Sequence, residues 1–126
     1  METFSVSATV RTYPKHSYQK IKEAVLGKKY DLSLVFVGED RAQSLNKKYR
    51  KKTYIPNVLS FPLDETSGEM YICPKVAERE AVKFNMTPRK YVAYLFIHGL
   101  LHLKGYGHGD TMERKERAYM RTYFGS

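Results

Sequence analysis

The stretch YVAYLFIHGLLHLKGYGH, residues 91–108, decides how the rest of the chain is read. Tyr91, Val92, Leu95, Phe96, Ile97, Leu100 and Leu101 leave it apolar nearly all round, the pattern of a helix buried on every side. Thr87 suits its N-cap and Pro88 its first turn, where a fixed φ costs nothing. Gly105 permits the left-handed turn that stops it. The spacing therefore predicts one central helix running to about Lys104. Imidazoles are out of place in such a setting, yet three of the chain's four histidines fall within this stretch. His98 and His102 are four residues apart, an advance of about 400° and about 6 Å, so both rings share one helix face. His108, three residues beyond the glycine stop, is placed to close a third corner.

Working outward, residues 3–10 (TFSVSATV) alternate, with Phe4, Val6, Ala8 and Val10 on one face, and predict a strand. A helix is expected from Pro14 to about Lys28, with Tyr18, Ile21, Val25 and Leu26 inward. YDLSLVFV (30–37) predicts an interior strand. EDRAQSLNKKYR (39–50) predicts a helix with an acidic start and a basic end, and with Ala42, Leu45 and Tyr49 inward. VLSF (58–61), closed by Pro62, and MYIC (70–73) read as two short strands joined by a turn-rich hairpin or wider connection. A helix over 74–84 is expected to bury Val76, Ala77, Ala81, Val82 and Phe84, and Asp110 with Glu113 reads as a capping pair for a last helix over 111–123. Four strands and these helices define an α+β domain. A small mixed sheet is covered by helices, with the metal site at the end of the central buried helix.

Three imidazoles with an open fourth position are the ligand set of a catalytic zinc rather than a structural one, with one ion per chain and another divalent transition metal as the variant. Such an ion brings the pKa of bound water near 7. Zinc peptidases with the same histidine spacing carry a glutamate directly after the first histidine as general base, whereas Gly99 stands here and can neither take a proton nor orient water. A peptidase is thereby disfavoured. A non-catalytic RNA-binding assembly factor with a structural metal is the other alternative. His16, apart from the rest in a polar segment, reads as an ordinary surface residue.

The charge points to the substrate. Twenty-two Lys and Arg against thirteen Asp and Glu give the 126 residues a net charge of +9, which favours a polyanionic partner. Five of those cations lie in KKYRKK (47–52), just before NVLSFP (57–62). Arg50 suits bidentate binding of a phosphate and stabilisation of developing negative charge. Lys47, Lys48, Lys51 and Lys52 extend the cationic surface, and Asn57 and Ser60 supply polar groups beside it. Tyr49, Tyr54 and Tyr106 are candidates for stacking on bases. The length suits one domain, residues 1–126. No apolar run reaches the roughly 20 residues of a membrane span, and METFSVSATV has no signal-peptide pattern. The single cysteine, Cys73, excludes an internal disulfide framework. A soluble cytoplasmic protein is expected.

HGLLHLKGYGH (98–108) resembles the H-G-x-L-H-L-x-G-Y-D-H signature of the YbeY family of bacterial endoribonucleases. LNKKYRKK (45–52), NVLSFP (57–62) and GEMYIC (68–73) follow the family's order, so the resemblance covers roughly residues 40–120. It implies a single-strand-specific, metal-dependent endoribonuclease acting in 16S rRNA 3′-end maturation and ribosome quality control. It implies zinc on His98, His102 and His108 and a functionally important arginine at Arg50. The implied partners are the 16S rRNA precursor, the small ribosomal subunit, and a ribosomal protein or assembly GTPase, with no membrane. The chain departs from the family pattern at Gly107, where the family has Asp, and at Pro56, where Thr is common. It also departs in its short connection after SFP.

Overall fold

The computed structural model describes residues 3–125. The strands are β1 (Phe4–Ala8), β2 (Asp31–Phe36), β3 (Val58–Asp64) and β4 (Ser67–Ile72). The helices are α1 (Tyr18–Leu26), α2 (Glu39–Arg50), α3 (Pro74–Ala81), α4 (Pro88–Lys104) and α5 (Asp110–Phe124), with a 3-10 turn at Val82–Phe84. The sheet order is β1-β2-β4-β3. β1, β2 and β4 are parallel, and β3 returns antiparallel along the edge, so this is the mixed four-stranded sheet expected.

Alternation along β2 and β4 sends Leu32, Leu34, Phe36, Met70 and Ile72 to one face, where they pack with Ile21 and Val25 of α1 and with Val92, Phe96 and Leu100 of α4. α5 packs on α4 through Met112 and Met120. A smaller cluster of Val37, Ala42, Cys73 and Val76, with Val35, Ile55 and Tyr71 against it, docks α2. α4 is thus the buried centre the sequence predicts, and its caps are as read. The Thr87 hydroxyl accepts from the Lys90 N–H at 3.1 Å. At the other end Gly105 takes φ +109°, and the Tyr106 N–H reaches the Leu101 carbonyl at 3.0 Å. Among the described residues no helix is long and apolar enough to cross a membrane.

Several local expectations fail for identifiable reasons. α1 begins at Tyr18, not Pro14: residues 14–17 stay non-helical, and the Tyr18 hydroxyl donates to the Pro14 carbonyl at 2.5 Å. β1 ends at Ala8, which is exposed. β3 continues through Pro62, which pairs with Gly68, because an edge strand has one side on which a missing N–H costs nothing. The connection closes as a tight hairpin over Glu65 and Thr66, held by the Asp64 carboxylate accepting from the Thr66 N–H (2.8 Å) and the Ser67 hydroxyl (2.9 Å). α3 stops at Ala81, so Val82 and Phe84 turn outward, 77% and 58% exposed. Tyr49 is 58% exposed and leans on Phe61 at 5.4 Å between ring centres rather than entering the core. Gly109 precedes α5 with no side-chain cap, while Asp110 and Glu113 occupy the first turn and favour it through the helix dipole. His16 is not an ordinary surface residue: its Nε2 lies 2.9 Å from the Arg89 carbonyl, and its ring meets Tyr18 and Phe124 edge-on.

Candidate metal centre

The helical spacing brings His98 and His102 together with their Nε2 atoms 3.0 Å apart. The turn made by Gly105 carries His108 back over them, at 5.3 and 4.6 Å between ring centres. One ligand nitrogen from each of the three lies within 4.8 Å of the others. What orients the rings lies behind them. His98 Nδ1 donates to the Glu116 carboxylate at 2.5 Å, and His102 Nδ1 donates to the Tyr106 carbonyl at 3.0 Å. With Nδ1 committed as donor in both rings, both Nε2 lone pairs face the same point, an arrangement suited to sharing a cation. Burial, reinforced by the neighbouring His98, holds the His102 pKa below the ordinary value, so the ring is neutral and ligand-competent at neutral pH. The donor set therefore fits a divalent transition metal.

Glu116 is the site residue that sequence reasoning missed. It is 4% exposed, comes from α5, and also accepts from the Tyr94 hydroxyl at 3.4 Å. Burial and the Glu116 charge push that hydroxyl up to about 12, so it remains protonated as a donor. A signal was present: Met112, Glu116 and Met120 recur every four residues, which places a carboxylate in an apolar stripe. Gly107 is exposed, and a Cβ there would meet nothing within 4 Å. The carboxylate that holds His98 thus comes from α5, independently of position 107.

Gly99 has a packing reason beyond the absence of a base. A Cβ there would lie 2.7 Å from Met70 Cε and 2.8 Å from Ser60 Oγ, so α4 packs closely on β3 and β4 and any side chain at 99 has to displace those side-chain ends.

The histidines form one end of a cleft of about 720 Å³ that also takes in Arg50, Tyr54, Asn57 and Ser60. Residues separated by half the chain in sequence thus meet in one place. Arg50 ends α2, where Lys51 adopts φ +59° and turns the chain; its Nη1 lies 3.4 Å from Asn46 Oδ1. Asn46, fully buried, also donates to the Tyr54 carbonyl at 3.0 Å and so ties the basic helix end to the loop beyond it. Asn57 donates to Glu80 at 2.8 Å and accepts from the Val58 N–H at 2.6 Å, while Tyr91 donates to the same Glu80 oxygen at 3.0 Å. The Ser60 hydroxyl donates to the Gly99 carbonyl at 3.3 Å. Lys47, Lys48, Lys51 and Lys52 are exposed and do not line the cleft. Of the tyrosines singled out for stacking, Tyr54 lines it, whereas Tyr49 and Tyr106 do not.

The fold and these three convergent imidazoles define a small α+β domain with a histidine group of the metal-binding kind. The chain belongs to the YbeY family: the family model described as Endoribonuclease YbeY matches residues 2–123. Proteins named Endoribonuclease YbeY from Mesoplasma florum and Neisseria meningitidis serogroup B are 36% and 39% identical to it. Those matches take in 79% and 72% of this chain and 62% and 63% of theirs. The chain thus spans less than two thirds of the length of these relatives. The solution structure of TM1509 from Thermotoga maritima aligns with a TM-score of 0.66 at 27% identity, covering 97% of this chain and 89% of that one.

Proposed function

We propose that this chain, residues 1–126, is a single-domain, single-strand-specific, metal-dependent endoribonuclease working in the cytoplasm on the 3′ end of the 16S rRNA precursor and in ribosome quality control. The observation that carries this reading is the convergence of three histidines and Arg50 in one cleft of a strongly basic chain. The names of the relatives from Mesoplasma florum and Neisseria meningitidis support the reaction class. His98, His102 and His108 hold one zinc ion per chain. When bound, it supplies Lewis-acid activation of water or of a phosphoryl oxygen.

The chain's own groups do the rest. Glu116 and the Tyr106 carbonyl keep the two helical imidazoles in one tautomer, so that no reorientation is needed during turnover. Arg50 grips a phosphate of the strand with paired N–H donors and stabilises the charge that grows on it. Asn57 and Ser60 line the same cleft, and Ser60 has open lone pairs, so they can take polar groups of the substrate. Lys47, Lys48, Lys51 and Lys52, outside the cleft, attract and align the flanking phosphates. The small ribosomal subunit, with a ribosomal protein or assembly GTPase, presents the RNA.

Cleavage of a short single-stranded RNA by the wild type, by the chelator-treated wild type and by His108→Ala tests this reading. The wild type is expected to cut, and the other two are expected to lose activity. Equal cutting by all three, or turnover of casein instead of RNA, contradicts it.

A further inference from the structure

The wall of the cleft leading away from the histidines is aromatic, and its outer end is Phe84. From the metal end outward the rings follow one another. Tyr94 lies 6.0 Å from His98, Tyr91 lies 6.0 Å from Tyr94 at an interplanar angle of 17°, and Phe84 lies 5.4 Å from Tyr91 at 14°. Tyr91 is buried, and its hydroxyl is anchored on Glu80, so the ladder is fixed from within. Phe84 is different. The left-handed turn at Asn85 (φ +53°) ends the 3-10 segment and leaves the ring 58% exposed while it stays flat against Tyr91. Scattered exposed phenylalanines are ordinary. This one lines the same cleft as Arg50 and the three histidines, as does the 54% exposed ring of Tyr54.

We propose that Phe84 is a base-stacking platform for an unpaired nucleotide of the RNA strand whose phosphate Arg50 holds. This rests on the endoribonuclease reading above and adds to it a source of single-strand selectivity. A base can lie on the Phe84 ring only if its own face is free, which pairing and stacking within a duplex prevent. The ring reads no base edge, so the platform tolerates any base. Its distance along the wall from the histidines sets it on a nucleotide beside the cleavage point rather than at it.

Steady-state cleavage of short oligoadenylates tests the platform, using wild type, Phe84→Ala and Phe84→Tyr. Each is assayed on intact RNA and on a set in which one position at a time is abasic. Phe84→Ala is expected to raise KM roughly 5- to 100-fold with kcat nearly unchanged, and Phe84→Tyr to restore wild-type KM. In wild type at least one abasic position is expected to raise KM by a similar factor, and in Phe84→Ala that same position is expected to add nothing. An unchanged KM in Phe84→Ala overturns the platform and assigns Val82 and Phe84 to a protein contact instead. An abasic penalty that persists undiminished in Phe84→Ala overturns it as well. Both results leave the nuclease reading standing. A wild type that cuts no single-stranded RNA brings down that reading and the platform together. The exposure of Phe84 leaves the core intact in the variants, which a thermal melt checks.

Discussion

The histidine end of the cleft and the basic run at residues 47–52 are both rich in functional side chains, but they are built in opposite ways. At the histidine end every orienting group is itself held. Glu116 is buried between His98 and Tyr94, the Tyr106 carbonyl is fixed by the Gly105 turn, and Gly99 lets α4 close onto Ser60 and Met70. In the basic run Arg50 has its side chain tied inward, to Asn46, while the side chains of the four lysines are exposed. Chemistry that depends on direction requires the first kind of construction. Attraction of a polyanion depends on charge and distance alone and is served by the second.

Arg50→Ala attacks the one residue that belongs to both regions. It is expected to keep its metal and lose roughly 10²- to 10³-fold in kcat, as measured by single-turnover cleavage alongside metal content. Arg50→Lys is expected to recover only part of the loss, because an ammonium does not offer paired N–H donors. Glu116→Gln, which leaves the shape of the histidine end but removes the carboxylate from His98, is expected to weaken metal affinity about 10- to 100-fold in a competition titration. Loss of metal from Arg50→Ala, or unchanged affinity in Glu116→Gln, would break the division between the two regions.

Replacing Lys47, Lys48, Lys51 and Lys52 by Ala is expected to leave kcat unchanged. Binding should weaken at low salt, and the slope of log affinity against log salt should fall by about 0.7 for each lysine that neutralises a phosphate. A change in kcat would mean that the lysines reach the chemistry. The smallest effect concerns pH. His102 has its pKa lowered in the folded chain, so the unfolded chain binds more protons once the pH falls below the ordinary histidine value of about 6.5. Metal-free protein should therefore lose stability as pH drops from about 6.5 toward the lowered folded value. Thermal melts of His102→Gln should show a shallower dependence over that window.

How much of this was legible in sequence follows the same division. The i, i+4 pair with its glycine stop and third histidine is local, so spacing alone brought His98, His102 and His108 together. α4 was legible because a helix apolar on all sides has only one place to go. Arg50 was singled out from its cationic run, but its place in the same cleft as the histidines depends on how α2 and α4 are brought together, which no local pattern encodes. Glu116 left a trace in an apolar stripe, yet its partner on α4 could be named only once the two helices were packed. Phe84 was read as core because its spacing continues that of α3. The helix tightens to 3-10 after Ala81, and this turns Val82 and Phe84 outward.

The central claim is that three histidines hold a metal on which cleavage depends. Its most direct test is a zinc add-back to chelated protein, following bound metal per chain and cleavage of single-stranded RNA in the same samples. Metal and activity should rise together and level off at one ion per chain, with neither rising in His102→Ala. Cleavage that survives complete metal removal, or uptake by His102→Ala equal to wild type, would contradict it.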